Sequence, residues 1–410
     1  MAAQFEAQPD YIHQDIKECV DVLKVMGVTK FSKHLQRELD MWKHTDLNIA
    51  VVGNSGAGKS SLINAILDLE TDDDGMAKVG VVETTKTVTT YRNNNRPNLA
   101  LHDFPGVGTP NYPQKGYFDK IGHKLSEYDF FLIVSSDRFT EYDLWFAKQI
   151  KRDEKHFYFV RTHIDLSIYK DKRPGPKKLK AKKVMEEVKK SIYEPLKKEG
   201  VIDDDCHIFL INNDAKLEFD FERLLQTLIK DSPVLKRQTM ILSLAADVDE
   251  TINEKVKILK GRMYKVALLA SSGSAVPVPG VGLAAEAAVL YKEGCFYREQ
   301  LGIDDKGLRR LSNHLNIEIE QLMKNFHLES HLVLISAKEL IKWASVHVVS
   351  EALEDISKLI LPVLGSLISA VASFPLCLNT LNKLLTMCET EARQLHNEVA
   401  RSVLNDDIRQ

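Results

Sequence analysis

A glycine-rich octapeptide that ends in a lysine and a hydroxyl side chain carries the strongest chemical signal in the sequence. It consists of Gly53, Asn54, Ser55, Gly56, Ala57, Gly58, Lys59 and Ser60, with Ser61 next to it. The order matches the pattern G-x-x-x-x-G-K-[ST]. Such a loop turns successive main-chain N–H groups toward phosphate oxygens, and a following helix N-terminus adds partial positive charge. The pattern predicts a nucleotide phosphate site in which Lys59 reaches the β- and γ-phosphates and Ser60 ligates Mg²⁺.

The motif Asp103-Phe104-Pro105-Gly106 ends a later apolar run and supplies a second set of candidate groups. A carboxylate at the end of a strand beside the phosphate loop is suited to hold Mg²⁺, usually through water, so Asp103 is a candidate metal residue. The Gly106 N–H is placed to sense the γ-phosphate.

The next position is Val107, where Ras-like enzymes carry a glutamine that orients the attacking water. An apolar side chain cannot do this, so the help must come from another group. A backbone carbonyl, a switch residue such as Glu83, the substrate phosphate and a second molecule all stay open as catalytic candidates.

A switch threonine that closes over Mg²⁺ and the γ-phosphate is expected between these two motifs. Thr84, Thr85 and Thr87 all lie there, and their spacing does not choose among them.

Base selection is predicted from Thr162-His163-Ile164-Asp165, directly after the apolar run His156–Arg161. The motif [NT]-K-x-D of guanine-selective proteins stands at this place, and its Asp accepts from guanine N1–H and the exocyclic amine. Asp165 fits that role, whereas His163 replaces the lysine whose stem lies over the base. A loop with Asn212 and Asn213 follows the next run and is a second candidate for contact with the base.

With these residues in place, the chain resembles the immunity-related GTPases, the interferon-inducible p47-type family. Besides the phosphate loop, the resemblance rests on five short segments spread over the chain. They are Gly80–Thr85 (GVVExT), Asp103–Gly108 (DFPGVG), Tyr128–Phe131 (YDFF), Phe157–Thr162 (FYFVRT) and Pro277–Gly280 (PVPG). The resemblance selects Thr85 as the switch threonine and catalytic and metal-binding candidate, and Lys59 places the chain with the Lys-bearing, effector-like members.

The resemblance also implies a fold and a way of working. It implies an α/β Ras-like GTPase domain, with a mostly parallel sheet and helices on both faces, set on an all-α domain formed from both chain ends. It further implies GTP and GDP as ligands with Mg²⁺, GTP-driven self-assembly through the GTPase domain, related GTPases as further partners, and action on membranes around intracellular pathogens in cell-autonomous immunity.

Hydrophobic periodicity divides the chain into three zones, which we predict as N-terminal helices over 1–45, a GTPase domain over 46–235 and a helical domain over 236–410. Apolar residues at helical spacing on both sides of Gly27 predict two short N-terminal helices. In the middle zone, short apolar runs alternate with helical patterns, which predicts a largely parallel sheet. The last zone is helical in pattern, most clearly in an apolar stripe from Leu381 to Val403.

Composition excludes several other classes. The chain has 410 residues, 44% of them hydrophobic and 28% charged, which is typical of globular proteins. The net charge of −3 gives no reason to expect nucleic acid binding. Five cysteines without a framework spacing suit a reducing compartment. The N-terminus lacks an apolar signal core and carries Ala2 in place of the glycine needed for myristoylation, so we expect a cytoplasmic protein that meets intracellular membranes peripherally.

Three further segments have two interpretations each. Val266–Ala285 and Leu359–Asn382 carry no charged residue, and we interpret both as buried helical core interrupted by prolines, with membrane contact as the alternative for the second. The basic run Lys170–Lys183 is interpreted as a solvated loop, with anionic lipid or phosphate as the alternative. His327 and His331 have the spacing for one helix face, but no third zinc ligand is evident.

The sequence therefore predicts a Mg²⁺-dependent GTPase that assembles on endomembranes. Lys59 favours this interpretation, while Val107 and His163 leave room for the alternative, a nucleotide-switched regulatory protein with negligible turnover. An ATP-dependent enzyme is disfavoured by Asp165.

Overall fold

The computed structural model describes residues 22, 25–70, 73, 75–77, 87–109, 111–171, 173–174, 176–204, 207–273, 281–347 and 368–409. In the first part of the chain, helices and strands alternate as α1 Val28–Asp40, β1 Leu47–Gly53, α2 Lys59–Leu67, β2 Thr89–Asn93, β3 Arg96–Asp103, α3 Tyr117–Ile121, β4 Phe130–Ser135, α4 Glu141–Arg152, β5 His156–Arg161, α5 Ile164–Lys170, α6 Lys177–Lys198, β6 Ile208–Leu210, α7 Phe221–Asp231 and α8 Val234–Ser243. The remaining described elements are helical: α9 Asp249–Gly273, α10 Val281–Gln300, α11 Asp305–Leu315, α12 Ile319–Asn325, α13 Glu329–Val333, α14 Ala337–His347 and α15 Ile368–Arg409.

The strands form one six-stranded sheet in the order β2-β3-β1-β4-β5-β6. Strands β3, β1, β4, β5 and β6 pair in parallel, and β2 pairs antiparallel with β3 at the edge. In the register of β1 with β3, Val51 lies beside Asp103. The carboxyl ends of the parallel strands therefore meet at one edge of the sheet, which is where ligands bind in open α/β sheets.

Both faces of the parallel strands are buried, which explains their continuous apolar runs. Ala50 and Val52 of β1 belong to a core cluster that includes Phe146 and Ile150 of α4. Ile49 and Val51 are also fully buried, and the period of two in a strand places them on the opposite face. The α/β fold class predicted from the sequence is confirmed.

The largely parallel sheet predicted for the middle zone is present, but its edge strand β2 was not predicted. β2 has only one buried residue among its five, so it lacks the apolar signal that marks the other strands. It is an edge strand that pairs on one side with β3.

The chain divides into two compact units: Trp42–Thr251 forms one, and Met1–Met41 with Ile252–Gln410 forms the other. Both chain ends thus belong to the same unit, as the resemblance implied. The first unit continues beyond the predicted boundary at 235, because α8 packs against β1 and β3 and Thr239 donates a hydrogen bond to the Trp42 carbonyl at 3.3 Å.

The helical unit has a core formed chiefly by the long helix α15, which packs against α10 and α11. The predicted apolar stripe is buried at Leu381, Leu384, Leu385, Cys388, Ala392 and Leu395. Val399 is half-buried, and Val403 lies outside the described side chains.

The two charge-free segments fall partly outside the described residues. The described portions of Val266–Ala285 belong to α9 and α10, and those of Leu359–Asn382 to α15, where Phe374, Cys377 and Leu378 are buried. Among the helices of the described residues, none combines the length and apolar character needed to cross a bilayer.

Two smaller expectations differ in detail. The basic run ends inside a helix, since α6 begins at Lys177. His327 adopts a left-handed backbone conformation with φ 49° between α12 and α13, so it does not share a helix face with His331. Over the described part of the chain, no group of three or more His, Cys, Asp or Glu side chains is arranged to hold a metal ion. The first predicted N-terminal helix lies largely outside the described residues.

Candidate nucleotide-binding site

The phosphate loop connects β1 to α2 at the carboxyl edge of the sheet, as the motif requires. Gly58 precedes α2 with φ 83° and ψ 20°, a left-handed conformation that favours glycine. A Cβ at this position would lie 3.2 Å from Thr162 Oγ1. The loop is therefore both turned and closely packed at its last glycine.

Lys59 lies inside this loop, and only 7% of its surface is exposed. Its ammonium donates to the carbonyls of Gly53 at 3.3 Å and Asn54 at 3.1 Å. A lysine held at the phosphate loop by two main-chain carbonyls is placed to meet the phosphate oxygens of a nucleotide.

Ser60 and Asp103 meet beside Lys59. Ser60 Oγ donates to Asp103 Oδ2 at 3.2 Å, and Asp103 is fully buried. The alcohol and the carboxylate are the oxygen ligands that Mg²⁺ prefers. These two predicted metal residues therefore fit a Mg²⁺ site by chemistry and by placement.

The segment after Asp103 is fixed against the phosphate loop. A Cβ on Gly106 would lie 2.8 Å from the Ser55 nitrogen, so only glycine allows this approach. Tyr117 donates its hydroxyl hydrogen to the Pro105 carbonyl at 2.6 Å. Burial, with smaller effects of Tyr112 and Asp103, raises the pKa of Tyr117 well above its ordinary value, which keeps this donor protonated.

Thr162 ties the predicted base-binding motif to the phosphate loop. Its buried hydroxyl lies within hydrogen-bond distance of two carbonyls, that of Ala57 at 2.9 Å and that of Ser135 at 3.3 Å. His163 follows in a left-handed conformation with φ 52°. Its Nε2 lies 3.5 Å from the position of a Cβ on Gly58, so the imidazole reaches the phosphate loop.

Polar atoms of two predicted base-contacting residues are buried without a hydrogen-bond partner. They are Oδ1 of Asp165 and both side-chain amide atoms of Asn213, which is 9% exposed. Buried polar atoms are normally paired, so groups of this kind point to a missing ligand. Asn212 differs, because its Oδ1 accepts from the Asp214 nitrogen at 3.0 Å within its own loop. The amide of Asn213 is therefore better suited to contact a base than that of Asn212.

The remaining predicted residues are placed as follows. Ser55 and Gly56 are exposed, and Ser61 is half-buried in α2. Glu83 and Thr85, the predicted catalytic and switch residues, lie outside the described residues. Val107 is buried with 3% exposure in the same core cluster as Phe104, and its apolar side chain has no group that could orient a water.

One connection in the site was missed from the sequence. Asn54 Nδ2 donates to Thr140 Oγ1 at 3.3 Å, and Thr140 caps α4 together with Asp143. The order Thr-x-x-Asp before a helix is a capping signal that the sequence already contained. Nothing in the sequence places that cap beside the phosphate loop.

The phosphate loop, the candidate metal residues Ser60 and Asp103, and the candidate base-binding segment all lie along the carboxyl edge of one sheet. This arrangement is that of a P-loop protein of the GTPase class. Comparison with known proteins agrees with this class. The family model "Interferon-inducible GTPase (IIGP)" matches residues 11–397. The chain is 35% identical over 276 residues to interferon-inducible GTPase 1 of Mus musculus, covering 67% of this chain and 66% of that protein.

Two further matches extend the comparison. Identity to interferon-gamma-inducible GTPase 10 of Mus musculus is 31% over 321 residues, covering 77% of this chain and 74% of the relative. Among solved structures, the chain matches a probable GTP-binding protein engB with TM-score 0.30 and 16% identity, over 45% of this chain and 97% of that one.

The chain belongs to the interferon-inducible GTPase family, since the family model spans most of its length. The predicted family is thereby confirmed. The matched region spans about two thirds of interferon-inducible GTPase 1, 66% of its length.

Proposed function

We propose that this protein binds GTP at the phosphate loop and hydrolyses it to GDP and phosphate with Mg²⁺. The observation that carries the proposal is the pair of buried, unpartnered groups at the carboxyl edge, Asp165 Oδ1 and the Asn213 amide. Guanine offers N–H donors to the first group and both an acceptor and donors to the second, whereas adenine lacks the paired donors that suit a carboxylate.

The residues divide the work according to their placement. Lys59, positioned by the carbonyls of Gly53 and Asn54, neutralises charge on the β- and γ-phosphates. The Gly106 N–H lies against the phosphate loop, where it donates to the γ-phosphate. Ser60 and Asp103 would hold Mg²⁺, which supplies further positive charge when bound.

Replacing one carboxylate oxygen of Asp165 by an amide NH₂ group tests whether this residue binds the guanine base. Asp165→Asn keeps one acceptor and adds a donor, so GTP affinity should fall by about 100-fold, the value of a charged hydrogen-bond pair. Affinity for xanthosine triphosphate should rise, because xanthine presents an acceptor where guanine presents its amine. Calorimetry with both nucleotides gives the two values.

The matched control is Asp153→Asn, which makes the same change of charge at the exposed end of α4, away from the carboxyl edge. It should bind GTP like the wild type. Unchanged GTP affinity in Asp165→Asn would remove Asp165 from the site and with it the proposed guanine specificity.

A second candidate function follows from Val107. Valine stands at the position where Ras-like enzymes carry the glutamine that orients water, and its side chain is buried in the core. The isolated site therefore lacks this group. Of the groups that could replace the glutamine, a second molecule brought in by GTP-dependent self-assembly is the one we propose. In the second candidate function, turnover is negligible and the protein acts as a nucleotide-switched regulator of related GTPases.

Turnover against protein concentration distinguishes these two candidates. Hydrolysis completed in a dimer gives a rate per molecule that rises with concentration. A negligible rate at every concentration, with GTP still bound, would establish the regulatory function instead.

Membrane association and cytoplasmic localisation are part of the same proposal and rest on the family resemblance and on the apolar segment that leads into α15. We expect peripheral, nucleotide-sensitive contact with intracellular membranes in interferon-induced, cell-autonomous immunity. Flotation with liposomes, GTP-loaded against GDP-loaded, tests this expectation. Absence of flotation in both states would contradict it.

A further inference from the structure

The side chain of Asn54 links the phosphate loop to the beginning of α4, 86 residues further along the chain. Asn54 Nδ2 lies 3.3 Å from Thr140 Oγ1. Thr140 is the N-cap of α4: its Oγ1 accepts from the Asp143 nitrogen at 3.3 Å, while its own nitrogen and hydroxyl each donate to Asp143 Oδ2 at 2.8 Å.

The direction of these hydrogen bonds is fixed by Asp143. Burial raises the pKa of Asp143 to about 6, so the fully buried group is a carboxylate at neutral pH. A carboxylate only accepts, so the Thr140 hydroxyl must donate to it and can only accept from its other neighbours. Asn54 must therefore turn its amide NH₂ group toward α4.

The main chain of the same residue holds Lys59. The Asn54 carbonyl accepts from Lys59 Nζ at 3.1 Å and from the Ala57 nitrogen at 3.3 Å. One residue thus connects a helix cap on one side with the phosphate-binding ammonium on the other. Capping of α4 does not require the contact between Asn54 and Thr140, because Thr140 and Asp143 complete the cap without Asn54.

We propose that Asn54, Thr140 and Asp143 form a positioning relay that sets the main-chain carbonyl against which Lys59 rests, and thereby the approach of Lys59 to the nucleotide phosphates. The three are positioning residues that act through Lys59. The inference rests on the proposed function and adds α4 to the parts that control the site.

The test uses the full chain in four variants: Asn54→Ala, Thr140→Val, Thr140→Ser and the double variant Asn54→Ala/Thr140→Val. Single-turnover hydrolysis at saturating GTP gives the rate, and calorimetry gives the affinities for GTP and GDP. Asn54→Ala and Thr140→Val should each lower the rate by roughly tenfold, the upper value of one hydrogen bond.

The pattern among the variants separates positioning from stability. Thr140→Ser keeps the hydroxyl and should stay within about twofold of the wild type. The double variant should be no slower than the slower single variant, because both changes remove one link. Asp304→Ala is the matched control: it removes the cap of α11, where Asp304 accepts from the Gly307 nitrogen at 3.1 Å, and should lower stability without changing the rate.

Asn54→Ala leaves the cap of α4 intact and decides the matter even if Thr140→Val fails to fold. A wild-type rate and a wild-type ratio of GTP to GDP affinity in Asn54→Ala would overturn the relay. If the wild type binds GTP without turnover, a several-fold fall of that affinity ratio in both single variants supports the relay, and an unchanged ratio overturns it. If the wild type binds neither nucleotide, the proposed function itself is wrong, and the relay falls with it.

Discussion

Two pairs of buried polar groups, one in the nucleotide-binding unit (Trp42–Thr251) and one in the helical unit (Met1–Met41 with Ile252–Gln410), differ in how their polar atoms are paired. In the first, Asp165 Oδ1 and the Asn213 amide are buried without hydrogen-bond partners at the carboxyl edge of the sheet. In the second, Glu293 accepts two hydrogen bonds from Arg262, at 2.7 and 3.1 Å, and Glu391 accepts from the Ser330 nitrogen at 2.8 Å. The first arrangement is complete only with a ligand, whereas the second joins one helix to another.

This difference predicts which mutations should weaken ligand binding and which should lower stability. Groups that are paired only when a ligand binds contribute to affinity and catalysis. Groups that close between helices contribute to folding, because removing one partner leaves a buried charge behind.

Lys59→Ala should give the largest effect, a loss of function at the nucleotide site. Loss of the ammonium at the β- and γ-phosphates should lower the GTP hydrolysis rate at least about 1,000-fold, beyond the loss of a single neutral transition-state donor. Single-turnover kinetics measures it.

Lys148→Ala is its control, since Lys148 forms a surface ion pair with Glu199 at 2.6 Å, both side chains 43% exposed. Such pairs contribute little, so this variant should hydrolyse GTP at the wild-type rate. A wild-type rate in Lys59→Ala would contradict the assignment of the phosphate loop.

Arg262→Ala should lower the stability of the helical unit. Arg262 and Glu293 are 8% and 6% exposed, and the guanidinium also donates to the Leu39 carbonyl at 2.6 Å and lies over the Phe296 ring. Removing it should lower the free energy of unfolding by about 3–5 kcal/mol, the cost of an uncompensated buried charge.

Urea unfolding measures this loss, and calorimetry under native conditions should show unchanged GTP affinity. Arg401→Ala, which removes an exposed pair with Glu398 at 3.8 Å, should change the free energy of unfolding by less than about 1 kcal/mol. A large loss of GTP affinity in Arg262→Ala would show that the two kinds of buried group are not separate.

The same difference explains what could be predicted from the sequence. The nucleotide site is built from short motifs, each at the end of an apolar strand, so the sequence alone suffices to assign Lys59, Asp103 and Asp165 to one edge of a parallel sheet. The helical unit carries only hydrophobic periodicity, which predicted the buried stripe of α15 but no tertiary contact. The ion pair of Arg262 with Glu293 joins residues 31 apart in the sequence, and no local sequence pattern predicts it.

The predictions failed or stopped where tertiary contacts decide. β2 was missed because an edge strand with one buried residue lacks an apolar pattern. Asn212 was proposed together with Asn213, yet a hydrogen bond within its own loop occupies its Oδ1. The contact of Asn54 with Thr140 depends on how the phosphate loop approaches α4, which neither segment encodes alone. The domain boundaries and the roles of Glu83 and Thr85 stay predictions.

Asp143→Asn should give the smallest effect and sharpen the comparison, because Asp143 belongs to the nucleotide-binding unit but is buried for positioning. Burial raises its pKa from 3.8 in the unfolded chain to about 6, against the opposing hydrogen bonds from Thr140. A raised carboxyl pKa means that the folded state binds the proton more tightly, so the buried charge destabilises the fold fully above pH 6. That cost declines as the pH falls toward 4.

Asparagine is neutral at every pH and still offers an oxygen to the nitrogen and hydroxyl of Thr140. Asp143→Asn should therefore raise the free energy of unfolding at pH 7.5 by roughly 2–3 kcal/mol, from about 1.4 kcal/mol per pKa unit. The gain should shrink to less than half near pH 4.5. Urea unfolding at both values measures it without nucleotide, and Asp304→Asn, a change between two equally good helix caps, should show little difference at either pH. Equal gains for Asp143→Asn at both values would mean that its buried charge is not what destabilises the wild type. A gain that shrinks in this way on acidification would show that this unit gives up stability to keep a carboxylate beside the phosphate loop.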